Sequence, residues 1–321
     1  MNFTITAKTE PECKSFLKIR EASGEYMTID TFILLHPKMT EDELDKCYIN
    51  YRGMEKTYKD DTEEYCNFSE EMKFVQFNPP SIIVEPSIKP SIYFMQKSIE
   101  CLDFARFFTM KSALLLDIDY NIRWSQGYIP QFLFRCIYFG TASTWYSNAF
   151  DHLLQAVYWG KKLYTSVVDR EGNPYENGWD TKKVMALCTY EFVVTELKAR
   201  GEAELRTLLT TCSGKIEEVR MWANYIKHKG GLDYQYLEAE SPFKLYFVPS
   251  GQTPTEGDGR MQYQPPDEKY EIKNFKSPIK IDIDAKKEEL VKAHSAIYDC
   301  IEKTIANINY EQYAIKFGGN A

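Results

Sequence analysis

The chain has only four histidines, no Cys-x-x-Cys pair among its eight cysteines, and no net positive charge. Its cysteines (13, 47, 66, 101, 136, 188, 212 and 300) are widely scattered, which argues against a zinc ribbon or a dense disulfide framework and points to a reducing compartment. A formal net charge of −8 excludes a surface that coats nucleic acid throughout, because that binding runs on clustered Lys and Arg. A local basic pocket stays open. The nearest approach to a membrane span, Tyr128 to Trp145, is interrupted by Gln131 and Arg135. The first ten residues carry no apolar signal region, so the reading is a cytoplasmic protein with no membrane partner. P-loop, GxGxxG and GxSxG patterns are missing, as are fixed-period repeats and low-complexity tracts. No cofactor and no metal site are expected.

What is there is ordinary in bulk. Hydrophobic residues make up 44% and charged residues 27% of 321 positions, enough for one large core or two modest ones. Aromatics reach 15%, read chiefly as core and surface packing.

The first ninety residues read as a small α+β region. Tyr26 to Leu35 is rich in β-branched and aromatic residues and predicts a strand. Thr40 and Glu43 have capping-box spacing, which predicts a helix from there through Tyr51. Lys56 to Glu71 is charged and read as irregular, and Pro79, Pro80, Pro86 and Pro90 punctuate a linker. A boundary is placed near residue 90, leaving residues 91–321 as a second, helical region.

From Ser91 the period becomes helical, through Met95, Ile99, Leu102, Ala105, Met110 and Leu114. Pro130 opens a long amphipathic helix that ends before Asn173-Pro174, with a bend expected at Gly140. One helix is predicted from an Asp180 cap to Arg200, with Gly201 as its stop. A short helix over 202–211 and a Ser213 cap then lead into the next. Residues 241–282 break the pattern as a β-like insertion, with Phe243–Val248 and Ser277–Asp282 extended around a Gly/Pro-rich loop. Ala285 to Asn309 predicts a final helix with one apolar face.

The richest polar company surrounds His228. Arg220, Asn224 and His228 fall at i, i+4 and i+8 of a predicted helix, a stripe about 12 Å long. An imidazole exchanges protons near neutral pH, a guanidinium holds phosphate, and an amide orients either. Lys227 and Lys229 add local positive charge, Tyr225 a ring, and Gly230-Gly231 a place for close backbone approach. A basic last turn followed by Gly is also an ordinary helix stop. Elsewhere, Asp151-His152 reads as a satisfied polar face, since helix neighbours point apart. His36 and His294 lack metal-ligand spacing, and the pairs Asp117/Asp119 and Asp282/Asp284 lack a calcium loop.

The helix-terminal run Asn224-x-x-x-His228-Lys229-Gly230, late in a helical region, resembles the HEPN (higher eukaryotes and prokaryotes nucleotide-binding) superfamily. The resemblance covers about residues 91–309. Asn224 matches the polar position and His228 the histidine of the family's Arg-x(4–6)-His motif. Met221, Trp222 and Ala223 occupy the positions where the arginine belongs, and seven residues separate Arg220 from His228. The resemblance implies a mainly α, up-and-down helical bundle that forms a homodimer. It also implies two functions in order of expectation. The first is a non-catalytic module binding RNA, a nucleotide or a protein partner, with Lys227, Lys229 and Tyr225 as binding residues. The second is a metal-independent endoribonuclease of toxin or defence type, using His228 with Asn224 and Arg220.

Overall fold

The computed structural model describes residues 3–7, 17–36, 38–79, 84–116, 123–124, 127–128, 131–168, 172, 174, 181–229, 231–235, 243–247 and 279–315. The chain is mainly helical with small sheets. It divides into two compact units, neither a single run of sequence. One holds residues 1–63, 114–136 and 233–282; the other holds 64–113, 137–232 and 283–321.

The first unit is built on an antiparallel sheet. Strands β2 (Leu17–Arg20), β3 (Met27–Thr28), β4 (Tyr48–Tyr51) and β5 (Met54–Thr57) lie in the order β3-β2-β4-β5. Alternation puts Leu17, Ile19, Ile49 and Tyr51 on one buried face, and the register sets Ile19 opposite Ile49. Arg52 and Gly53 join β4 to β5 with φ of 53° and 87°, the all-positive pair that a two-residue hairpin of matching twist requires. Asp61 is 2% exposed but satisfied: Lys56 Nζ lies 2.6 Å from one oxygen, and the Leu115 amide donates to the other at 3.1 Å. Strand β1 (Phe3–Ala7) pairs antiparallel with β9 (Phe243–Phe247), while β8 (Asp233–Tyr234) and β10 (Lys280–Ile281) make a short parallel pair. A further hairpin joins β6 (Arg123–Trp124) to β7 (Gly127–Tyr128).

Several local expectations fail here, each for a local reason. The predicted strand over 26–35 is β3 followed by helix α1 (Ile29–Leu35), because Thr28 caps it by accepting from the Thr31 amide at 3.3 Å. Glu43 does accept from the Thr40 amide at 2.9 Å, yet helix α2 spans only Glu41–Leu44. The chain then enters β4, where two neighbouring strands claim its backbone. The segment read as irregular forms helix α3 (Tyr58–Glu71), started by reciprocal bonds between Thr57 and Asp60.

The second unit is a bundle. Its helices are α4 (Lys89–Ala113), α5 (Gln131–Gly160), α6 (Thr181–Ala186), α7 (Tyr190–Ala199), α8 (Ala203–Lys215), α9 (Glu217–Lys229) and α10 (Ile283–Ile308). α5 enters this unit at Ile137 and buries Phe139, Tyr146, Ala149, Phe150, Leu153 and Val157. Small residues let α4 approach it closely. Ser98 and Ser91 donate to the carbonyls of Ala149 and Ala156, each at 2.7 Å. A Cβ at Gly160 would lie 2.8 Å from both Ile308 Cδ1 and Ser91 Oγ, so this crossing needs the bare backbone. The strip after α3 is tied down by two helices. Arg106 Nε of α4 donates to the Met72 carbonyl at 2.7 Å, and His294 Nε2 of α10 to the Lys73 carbonyl at 2.9 Å.

The helix predicted over 180–200 is broken at 187–189, because the Thr189 hydroxyl accepts from the Phe192 amide at 3.2 Å and starts α7 afresh. Ser213 lies inside α8, and the junction with α9 falls at Ile216. α5 runs unbroken through Gly140. The caps expected at Pro130 and Asp180, and the loop around 251–259, lie outside the described residues. Among the described residues no helix is long and apolar enough to cross a membrane.

Candidate functional site: the open face of α9

Helix α9 starts after Ile216, whose carbonyl accepts from the Arg220 amide at 2.9 Å, and Glu217 and Glu218 suit the positive end of its dipole. Val219, Trp222 and Ala223 are buried, with Ile226 half-buried at the next position of that stripe. Trp222 packs on Phe139 of α5 with ring centroids 5.0 Å apart. This leaves Met221, Asn224, Lys227 and His228 exposed and Tyr225 half-buried. The side chain of Lys229 and residue Gly230 lie outside the described residues.

The polar residues of α9 divide into two sets. Arg220 faces α5: Nη2 lies 3.4 Å from Asp151 Oδ1, and the guanidinium carbon sits 5.1 Å from the Phe150 ring centroid. Lys227 Nζ donates to Asn148 Oδ1 at 2.9 Å, one turn along α5. Asn224 and His228 have no hydrogen-bond or ion-pair partner among the described residues. The structure therefore brings Arg220 to Asp151 and Lys227 to Asn148, while the guanidinium of Arg220 is turned to α5 and the imidazole of His228 is left to solvent.

Asp151 is the residue that spacing alone undervalued. Partial burial raises its carboxyl pKa, against the opposing pull of Arg220, Lys227 and His152. Asp151 in turn helps to raise the Cys188 thiol, which burial pushes up to about 12, so the thiol form is favoured at pH 7. The pair Asp151-His152 does point in two directions, as expected. Asp151 meets α9, whereas His152 stacks against Phe94 of α4 at 6.0 Å and lies 3.4 Å from Gln155 Oε1. The signal that finds this face is a polar run at i, i+3/i+4 along the second half of α5: Asn148, Asp151, His152 and Gln155.

Two of the other histidines are engaged within the fold. His294 is buried against the Lys73 carbonyl, and His36 lies 3.5 Å from Glu21 and stacks on Phe32. Asp282 pairs with Arg52 at 3.7 Å, whereas Asp117 and Asp119 lie outside the described residues. Among the described residues no group of three His, Cys, Asp or Glu side chains is placed to hold a metal ion. Comparison of the chain with family models, with curated proteins and with solved structures finds no match.

Proposed function

We propose that this protein is a HEPN-like helical module that binds RNA or a nucleotide at the open end of α9 without cleaving it. The division of the motif carries this reading: Arg220 is occupied by Asp151 and Phe150, and Lys227 bonds Asn148 at an exposed position, whereas Asn224 and His228 face solvent with no partner among the described residues. Metal-free cleavage of a phosphodiester needs a proton-transfer group and a cation converging on one phosphate. Here the residues that would supply them stand about 12 Å apart by helical rise, with the cation already matched by a carboxylate. Binding asks less. An amide, an ammonium and an imidazole open to solvent are enough to hold a phosphate. The same reading includes a homodimer, which sedimentation of the purified protein reads directly.

The second reading, a metal-independent endoribonuclease using His228 with Asn224 and Arg220, is favoured by the open imidazole of His228. One experiment separates the two. Purified protein is incubated with end-labelled single-stranded RNA in EDTA, and both retention and 2′,3′-cyclic phosphate ends are measured. Retention without new ends is the expected result. Ends that form with the native chain and vanish in His228→Ala would install the second reading. A chain that neither retains nor cuts RNA would leave a protein partner as the ligand.

A further inference from the structure

We propose that Phe104 and Trp145 form a stacking platform for the bases of single-stranded RNA whose phosphates are held at Lys227 and His228. The proposal rests on the RNA-binding reading of α9 and extends that site onto α5 and α4. Trp145 and Asn148 lie i, i+3 on the open face of α5, where such neighbours stand about 5–6 Å apart at Cβ. Asn148 Oδ1 accepts from Lys227 Nζ at 2.9 Å, which brings the ammonium of α9 to the residue one helical turn beyond Trp145. Phe104 of α4 lies against that indole with ring centroids 4.9 Å apart, and remains 43% exposed. A cation, an amide and two rings thus follow one another across three helices of a single unit.

A single exposed Phe needs no explanation. A part-open Trp–Phe pair next to a lysine is different, because it offers a π-face and a positive charge within the span of neighbouring nucleotides. Every base has a face to stack, and only unpaired strands can splay their bases onto side chains. The charges also fix which way the strand lies. Phe104 walls a cavity of about 390 Å³ whose lining includes Glu100 and Asp103. Glu100 is matched by Lys97, but the Asp103 carboxylate disfavours phosphate there, which puts the backbone on the Lys227 side and the bases toward Phe104.

The test is binding of a fluorescein-labelled, unstructured RNA oligonucleotide, followed by anisotropy over a range of salt, with folding of each variant checked by circular dichroism. Phe104→Ala and Trp145→Ala should each weaken binding about tenfold without changing its salt dependence. Lys227→Ala should weaken it and lower the slope of log K against log salt by about 0.7. Tyr93→Ala, on an exposed ring of α4 about three turns from Phe104, should change nothing. If Trp145→Ala fails to fold, Phe104→Ala and Trp145→Phe carry the test. Loss in Lys227→Ala with both aromatic variants unaffected would overturn the platform and leave the RNA-binding reading standing. Equal losses in Phe104→Ala and Tyr93→Ala would also overturn it, in favour of a general apolar contact. No RNA binding by the native chain would overturn the platform together with the reading beneath it.

Discussion

Helices α9 and α10 each carry one histidine, and the two imidazoles live under opposite conditions. His294 of α10 is 1% exposed; its Nε2 donates to the Lys73 carbonyl, and its Nδ1 is buried with no hydrogen-bond partner among the described residues. Burial pushes this group down to about 4, against the smaller upward pull of that hydrogen bond, so it is neutral at pH 7. His228 of α9 is exposed and meets no partner among the described residues. The difference lies in the helices. α10 hides Leu290, Ala293, His294, Ile297, Cys300 and Ile301 along a broad face, whereas α9 hides a narrow stripe around Trp222. An imidazole on the broad face becomes a fixed strut for the backbone. One beyond the narrow stripe stays free to meet a ligand.

The sharpest way to break this comparison is to remove what holds α9 in place. Trp222→Ala deletes a side chain 1% exposed and packed on Phe139, and should cost roughly 3–5 kcal/mol in denaturant unfolding. His228→Ala, on the other side of the same helix, should stay within about 0.5 kcal/mol. A reversed order would show that the exposed side, not the stripe, anchors α9.

Next in size is the acid response of His294. Its folded pKa lies near 4, below the ordinary 6.5, so in that interval the unfolded chain binds more protons than the folded one. Stability is therefore full above pH 6.5 and is lost as pH falls toward 4, by roughly 3 kcal/mol at most. Urea titrations across this window should show the loss in the native chain and a flatter profile in His294→Gln. An equal slope in both would mean that the ring is wet in solution.

The smallest expected effect concerns Asp151 and Arg220, whose side chains are 44% and 28% exposed. A double-mutant cycle with Asp151→Asn and Arg220→Gln should return a coupling below about 1 kcal/mol, because solvent screens so open a pair. Coupling well above that would make Asp151 a buried partner and move α9 closer to the conditions of α10.

Two long helices were legible because their apolar period extends over many turns, whereas α5 ends at Gly160, well before the stop expected ahead of Asn173. α4 and α10 begin within two residues of their expected starts, and α10 ends one residue short of Asn309. Short elements were not legible, because one bond at an end decides them. Thr28 turns a β-rich segment into α1, Thr57 and Asp60 raise α3 from a charged run, and Thr189 divides an otherwise continuous helical pattern. At the candidate site the stripe Arg220-Asn224-His228 could be read from helical spacing alone. Its partners could not, since Asp151 and Asn148 stand 69 and 79 residues before the groups they meet. Spacing placed Arg220 on the right helix but could not show that a distant carboxylate had already engaged it.

The strip after α3 has one more consequence. Met72 and Lys73 present successive carbonyls, and each is claimed by a side chain from a different helix, Arg106 of α4 and His294 of α10. The strip therefore works as a caliper, with one peptide unit as its gap and a helix on each jaw. Adding or deleting a residue there would swing one carbonyl off its donor and leave a buried N–H unanswered. Affinity tags, permuted termini and protease sites engineered into this protein should avoid that short stretch, although its linker-like sequence would invite them.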